Sequence, residues 1–94
     1  MIYKLAFLPS AMKEFKQLDN SVREQFKKKL SELLDNPNIP ANRLSGFQNH
    51  YKVKLKASGY RLVYEVEDDK VRVLVIAVGK RDKGMIYSKA RKRS

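Results

Sequence analysis

Hydrophobic residues recur along this chain with two different periods. In residues 2–8 the successive side chains would point to opposite faces of a strand, and apolar residues occur on both faces. Apolar positions then follow helical spacing over residues 9–18 and again over residues 21–36. The second helix is expected to stop at Asn36-Pro37, because proline disfavours a helical residue before it. The N-terminal part of the sequence therefore predicts one strand followed by two helices.

The second half of the chain changes to a period of two. Apolar side chains alternate with lysines from Tyr51 to Lys56, and residues 60–66 alternate again after a Ser-Gly turn signal. Residues 71–78 are apolar on both faces, which is typical of a central strand that is covered on both sides. Residues 86–93 predict a short basic helix at the C-terminal end.

The order of these elements predicts an α+β fold. Two N-terminal helices would pack on one face of a mainly antiparallel four-stranded sheet, in the order β-α-α-β-β-β, with a short C-terminal helix or tail. The opposite face of the sheet is then expected to be open and basic. A chain of 94 residues without a repeat or a linker is expected to form one domain over residues 1–94.

Composition narrows the classes of function. The sequence has no cysteine and a single histidine, so we expect no disulfide, no metal site built from these residues and no cofactor. The longest apolar run, residues 73–78, is far shorter than the roughly 20 residues that a membrane span needs. The N-terminus also lacks a signal-peptide pattern. We therefore expect a soluble, cytoplasmic protein with no membrane partner.

Positive charge is concentrated in the middle of the chain and at its C-terminal end. The formal net charge is +11. Residues 37–64 hold five basic residues and no acidic one, and residues 80–94 hold seven basic residues against one acid. Such a surface attracts polyanions with strong salt dependence, so nucleic acid is the expected partner. A charged surface that only maintains solubility is the alternative.

Three cations are predicted to share one strand face. Lys52 and Lys54 lie two residues apart, a span of about 6.6 Å, and Arg61 on the paired strand has the same facing. With no acid among them they resemble a phosphate clamp, although exposed strands also carry lysines that prevent edge pairing. Arg81 directly follows the last strand. Tyr87 could fold back over the same face as a base-stacking platform, an acid–base residue or a core residue.

Three stretches together resemble the RelE family of bacterial toxins. They are Tyr51–Leu55, Ser58–Tyr64 and Val78–Arg81. The segment from Val22 to Leu30 is also similar to the second helix of that family, and the likeness extends over residues 2–93.

This resemblance implies a ribosome-dependent endoribonuclease that cleaves mRNA in the A site of the 70S ribosome without a metal, and so inhibits translation. It implies a RelB-type antitoxin that holds the toxin inactive. The toxin–antitoxin complex would bind operator DNA through the antitoxin and repress its own operon. The expected location is the bacterial cytoplasm.

The family's catalytic residues fall on positions that the patterns had already singled out. The resemblance places the cations on Lys52, Lys54, Arg61 and Arg81 and the tyrosine on Tyr87. We expect Tyr87, made more acidic by the two lysines, to take the 2′-hydroxyl proton. Arg61 would hold the phosphate, and Arg81 would assist the departing 5′-oxygen as a proton donor or electrostatically. The products would be a 2′,3′-cyclic phosphate and a 5′-hydroxyl. Further RNA contacts are expected from Lys27, Lys28, Arg43, Lys56, Lys80 and Lys83.

Two other functions are open at this point. A ParE-type toxin, which shares the architecture, would act on DNA gyrase, and the set of candidate catalytic cations argues against it. A non-catalytic RNA-binding module would bind through the same basic face but would cut no strand.

Overall fold

The predicted order of elements is confirmed. The computed structural model describes residues 3–44, 46, 48–55, 58–80 and 85–93. The predicted C-terminal helix is present, and a 3-10 turn over Pro40–Asn42 follows the second helix. The elements are β1 (Lys4–Phe7), α1 (Pro9–Lys16), α2 (Asn20–Leu33), β2 (His50–Leu55), β3 (Tyr60–Glu67), β4 (Arg72–Lys80) and α3 (Met85–Arg93).

The four strands form one mixed sheet in the order β1-β4-β3-β2. β2 pairs antiparallel with β3 and β3 pairs antiparallel with β4, whereas β1 runs parallel to β4. The prediction of a mainly antiparallel sheet is therefore confirmed, with β1 as its parallel member. β4 occupies a central position, in agreement with its apolar residues on both faces.

One face of the sheet carries α1 and α2. The helical spacing of Val22, Phe26 and Leu30 directs all three side chains inward, and each is buried. They join Ala11 and Phe15 of α1 in the main core. The strands contribute the alternate residues Tyr51, Val53, Leu55, Leu62, Tyr64, Val66, Val73, Val75 and Val78. This layer agrees with the predicted packing of two helices on one face.

The expectation that the opposite face is open is wrong, because α3 covers part of it. Ile86 and Ala90 of α3 are buried against Val63 of β3 and against Ile76 and Ala77 of β4, which forms a second core cluster. Apolar residues on both faces of a strand need cover on both sides. In this fold α3 supplies the second cover.

A β-bulge in β4 determines which residues reach this second cluster. Val63 pairs with Ala77 and Tyr64 pairs with Val75, so Ile76 is one residue more than the ladder needs. Val75 and Val78 consequently both face α1 and α2, while Ile76 and Ala77 both face α3. Strict alternation along β4 would not have predicted this arrangement.

No helix in the described part of the chain is long and apolar enough to cross a bilayer.

Candidate active site

The three predicted cations of the strand face lie together on the side of the sheet that carries α3. Tyr51, Val53 and Leu55 point into the main core, so Lys52 and Lys54 point to the other face. Lys54 pairs directly with Arg61 across β2 and β3. Facing residues of an antiparallel pair have Cβ atoms about 4.5–5.5 Å apart. Lys54 is exposed, and Lys52 and Arg61 are half-buried.

Helix α3 brings Tyr87 to this group. Because Ile86 and Ala90 dock into the second core cluster, the neighbouring Tyr87 lies half-buried at the rim of that cluster. Arg61 Nη1 donates a hydrogen bond of 2.6 Å to the phenol oxygen of Tyr87. The guanidinium carbon also lies 5.9 Å from the centre of the tyrosine ring. Residues from β2, β3 and α3 therefore meet at one place.

The other predicted residues are not all brought to this face. Lys80 pairs with Tyr60 and lies 5.5 Å from its ring centre, which places it on the side of the sheet that carries α1 and α2. Arg43 is exposed at the outer edge of β2, where it bridges to Tyr51. Arg81, Lys56 and Lys83 lie outside the described residues.

The two predicted lysines of α2 are exposed. Lys27 forms an ion pair of 3.5 Å with Glu24, and both side chains are well solvated, so the pair is weak. Because α2 packs on the face of the sheet opposite to α3, Lys27 and Lys28 lie apart from the group around Arg61.

Two recesses adjoin Lys54. One has a volume of about 240 Å³ and lies beside the β2–β3 hairpin, where Gly59, Tyr60 and Arg61 line it. The other, of about 450 Å³, follows the outer edge of β2 from Lys52 and Lys54 to the end of α2 and the 3-10 turn. An extended polyanion would find both space and positive charge on either side of Lys54.

One acidic residue that the sequence did not single out connects α1 with α3. The carboxylate of Glu14 accepts hydrogen bonds from Arg93, from Lys89 and from the backbone N–H of Val78. Burial raises the pKa of Glu14, but these hydrogen bonds outweigh that effect, so the pKa lies below its ordinary value. The only signal in the sequence is an acid near the C-terminal end of a helix, where the helix dipole disfavours it.

The chemistry of the group follows from its residue types. A phosphodiester over this face would meet the amines of Lys52 and Lys54 and the guanidinium of Arg61, with the phenol of Tyr87 in contact with Arg61. Such donors stabilise negative charge on phosphate oxygens. Within the described ranges, no three acidic or histidine side chains cluster as a metal site would require.

Comparison with known proteins shows that this chain is similar to toxins of bacterial toxin–antitoxin systems. The family model for the ParE toxin of the type II toxin–antitoxin system parDE matches residues 5–85. The chain is 55% identical over 93 residues to the mRNA interferase toxin RelE of Escherichia coli, which covers 99% of this chain and 98% of the relative.

Two solved structures are similar over most or all of the chain. One is a mutant of the E. coli toxin RelE in the free state, with a TM-score of 0.92 and 54% identity, covering 99% of this chain and 98% of that one. The other is the intact E. coli RelBE toxin–antitoxin complex, with a TM-score of 0.83 and 55% identity, covering 85% of this chain and 98% of that one.

Proposed function

The chain belongs to the RelE family of toxins, and we propose that it cleaves mRNA in the ribosomal A site through the face that carries Lys52, Lys54, Arg61 and Tyr87. It is the toxin of a toxin–antitoxin system and an mRNA interferase, which is an endoribonuclease. The observation that carries the site is the contact between Arg61 and Tyr87 beside the two lysines.

The proposed reaction uses the nucleophile that RNA itself carries. Tyr87, whose phenol oxygen is held by the hydrogen bond from Arg61, takes the proton of the 2′-hydroxyl as general base. The 2′-oxygen attacks the adjacent phosphorus, and the bond from phosphorus to the 5′-oxygen breaks. Arg61 holds the phosphate as negative charge builds on its oxygens. The products are a 2′,3′-cyclic phosphate and a 5′-hydroxyl, whose proton comes from water, and Tyr87 returns the proton it took to solvent.

Arg81 completes the proposed mechanism. It follows β4 directly in the sequence, and we assign it to the departing 5′-oxygen because the resemblance to RelE toxins implies a catalytic cation at this position. Since a guanidinium gives up a proton only at very high pH, hydrogen bonding to the developing charge is the simpler of its two possible roles. No step of this scheme needs a metal ion.

The ribosome supplies orientation in this proposal. The ribosome would hold the 2′-hydroxyl in line with the scissile bond, so the RNA does not have to reach this geometry by chance. Such positioning in general lowers an activation barrier by several kcal/mol, about 7–11 at the upper limit. The remaining basic residues, including Lys27, Lys28 and Arg43, would contact RNA outside the reacting linkage, where each neutralised phosphate adds salt-dependent affinity.

The partners follow from the family. A RelB-type antitoxin is the protein partner, as in the intact E. coli RelBE complex. We propose that operator DNA is bound only through the antitoxin complex. We also place the toxin in the bacterial cytoplasm, where its ribosomal substrate is found.

The gyrase alternative is not favoured. A ParE family model matches most of the chain, but the relative that is 55% identical over the full length is an mRNA interferase. The three neighbouring cations Lys52, Lys54 and Arg61 also suit a phosphodiester substrate. A supercoiling assay with DNA gyrase separates the two functions, since a gyrase poison would inhibit supercoiling and an mRNA interferase would not.

Cleavage of one message in two states tests the proposal. The wild-type toxin and Arg61→Ala are each mixed with programmed ribosomes and with the same mRNA free in solution. Lys13→Ala, which removes an exposed charge on α1, is the control for net charge. We expect the wild type and the control to cut only the ribosome-bound message, and Arg61→Ala to cut neither at a comparable rate. Equal cutting of free mRNA would refute ribosome dependence, and normal cutting by Arg61→Ala would refute the site. Binding without scission by the wild type would indicate a non-catalytic module.

A further inference from the structure

Hydrogen bonds of Glu14 in α1 with Lys89 and Arg93 in α3 join the two helices around one edge of the sheet, and we call this group of contacts the clasp. We propose that Glu14 and Arg93 are positioning residues, which hold α3 on the sheet and thereby present Tyr87 to Arg61. The inference rests on the proposed catalytic function of Tyr87, but the clasp itself is defined by contacts that do not involve Tyr87.

The contact between the two side chains is bidentate. Arg93 Nη1 donates to Glu14 Oε1 at 2.9 Å, and Arg93 Nη2 donates to Glu14 Oε2 at 3.1 Å. Lys89, one helical turn earlier, donates to Oε2 at 3.1 Å. The Glu14 and Arg93 side chains are only 18% and 23% exposed. A bidentate contact between a guanidinium and a carboxylate, largely shielded from water, holds both side chains in one geometry.

The side chains of the clasp also form hydrogen bonds with the backbone of β4. β1 ends at Phe7, where Leu8 N–H donates to the carbonyl of Val75, while β4 continues to Lys80. In the described residues no strand continues β1 along this edge. Here the N–H of Val78 donates to Glu14 at 3.2 Å, and Arg93 Nη1 donates to the carbonyl of Ile76 at 3.0 Å.

These groups belong to the bulged part of β4 and would otherwise lack a ladder partner on this side. The clasp can form all of its bonds only when α3 lies against the sheet. Docking of the helix and satisfaction of the strand edge are therefore coupled.

Helix α3 needs such an anchor because of its length and its charge. It has nine residues, too few for a stable isolated helix. It carries four basic residues and no acidic one, in a protein of formal net charge +11. Docking α3 therefore brings like charges together, and the carboxylate of Glu14 compensates two of them directly.

The anchor and the active residue lie on the same short helix. Arg93 is six residues after Tyr87, a separation of about 9 Å along the helix axis. A tilt of α3 that releases Arg93 would move the phenol oxygen away from Arg61, to which it is bonded at 2.6 Å. Misplacement of a reacting group by about 1 Å can reduce a rate by about a hundredfold.

Glu14→Gln is the most informative variant. It breaks the charge pairing from the α1 side without removing a cation, so weaker RNA binding cannot explain a loss of activity. Glu67→Gln is the matched control: Glu67 is 15% exposed and is bonded to Arg72 at 2.6 Å and paired with Lys70 at 3.4 Å. Glu67 faces Arg72, at the opposite end of the β3–β4 ladder from Val78. Cleavage of ribosome-bound mRNA gives kcat and KM, and amide hydrogen exchange reports how firmly residues 86–93 are held.

The proposal predicts that Glu14→Gln lowers kcat about tenfold with little change in KM, and that it accelerates exchange in α3. Arg93→Lys, which keeps the charge but loses the fork, is expected to have a smaller effect of the same kind. Glu67→Gln is expected to change neither quantity. In a Tyr87→Phe background, Glu14→Gln should cause no further loss of kcat, because the clasp acts through Tyr87.

Several results would overturn the proposal. One is that Glu14→Gln has the wild-type kcat and the wild-type rate of amide hydrogen exchange in α3. Another is that Glu14→Gln lowers kcat equally in the wild-type and Tyr87→Phe backgrounds. If Glu14→Gln fails to fold, Arg93→Lys carries the same test. Full activity of Tyr87→Phe would instead refute the assigned role of Tyr87. The exchange of α3 in Glu14→Gln would then still decide whether the clasp holds the helix.

Discussion

Arg61 and Tyr87, 26 residues apart in the sequence, are joined by a hydrogen bond of 2.6 Å from the guanidinium to the phenol oxygen. Arg61 is fixed by the register of β3, and Tyr87 is fixed by the docking of α3. The candidate site is therefore completed by the C-terminal helix. Its geometry depends on how that helix is held.

Removal of the phenol oxygen tests the role of Tyr87. In Tyr87→Phe the ring can keep its place beside the second core cluster, while the group that takes the proton and contacts Arg61 is lost. We expect the rate of the cleavage step on programmed ribosomes to fall by about 10²–10⁴, with little change in KM. Single-turnover cleavage measures this directly, and a wild-type rate would show that Tyr87 takes no part in the chemistry.

Charge and shape can be separated at Arg61. Arg61→Lys keeps the positive charge but loses the planar fork that matches a phosphate, so we expect kcat to fall. Arg61→Ala should lose about 10²–10³ in rate and also lower the salt dependence of ribosome binding. Cleavage and binding at several salt concentrations make the comparison. Equal kcat for Arg61→Lys and the wild type would mean that only the charge of this side chain matters.

The lowered pKa of Glu14 predicts a pH dependence of stability. A carboxyl whose pKa is lower in the folded protein stabilises the fold above its ordinary value of 4.5, and this contribution is lost as the pH falls through the folded value. The wild type should therefore be more stable than Glu14→Gln at pH 7, and the difference should shrink below pH 4.5.

Urea unfolding of both proteins between pH 7 and pH 3 gives this difference. Glu67, whose pKa is also lowered by its hydrogen bond from Arg72, is present in both proteins and cancels. The charged groups that face Glu14 are Arg93 and Lys89, both of which are cations. A difference that is independent of pH would contradict the assigned charge pairing.

A buried tyrosine outside the site predicts an effect on stability alone. Tyr64 is fully buried, and its hydroxyl donates to the carbonyl of Pro37 at 2.9 Å. Burial raises the pKa of Tyr64, so the hydroxyl keeps its proton and donates. Tyr64→Phe removes this hydrogen bond, but the carbonyl of Pro37 still accepts from the N–H of Ile39 at 3.1 Å. We therefore expect a loss of about 0.5–1.5 kcal/mol of unfolding free energy.

Tyr51→Phe is the comparison for that prediction. Its hydroxyl donates to Asn38 at 3.1 Å, in a less buried setting, so the expected loss is smaller. Chemical denaturation measures both variants, and cleavage on ribosomes should be unchanged in Tyr64→Phe. Equal stability of Tyr64→Phe and the wild type would contradict the buried bond to Pro37.

Local patterns in the sequence predicted much of this fold and part of the site. Alternation along β2 was sufficient to place Lys52 and Lys54 on one face, because side-chain direction in a strand depends only on the period of two. Arg61 joined them because β3 pairs antiparallel with β2 in a register that sets Arg61 opposite Lys54. These are short-range relations, which the sequence carries directly.

The relations that the sequence did not reveal are long-range. The bulge at Ile76 reverses the alternation of β4 and so changes which residues face α3. Glu14 and Arg93 are 79 residues apart, and nothing in either segment indicates the other. The apolar residues on both faces of β4 indicated that the second face is covered, but they did not identify α3 as the cover, because the apolar positions of that helix are few and its charge is high.

The most direct test of the account concerns the atom that attacks the phosphate. Ribosomes are programmed with an mRNA whose nucleotide at the mapped cleavage position carries either the normal 2′-hydroxyl or a 2′-deoxy substitution, and the product ends are determined. Attack by the 2′-oxygen, with Arg61 and Tyr87 beside it, predicts a 2′,3′-cyclic phosphate and a 5′-hydroxyl from the normal message and no cleavage of the substituted one. Cleavage of the 2′-deoxy message at the normal rate, or ends that carry a 5′-phosphate, would contradict it.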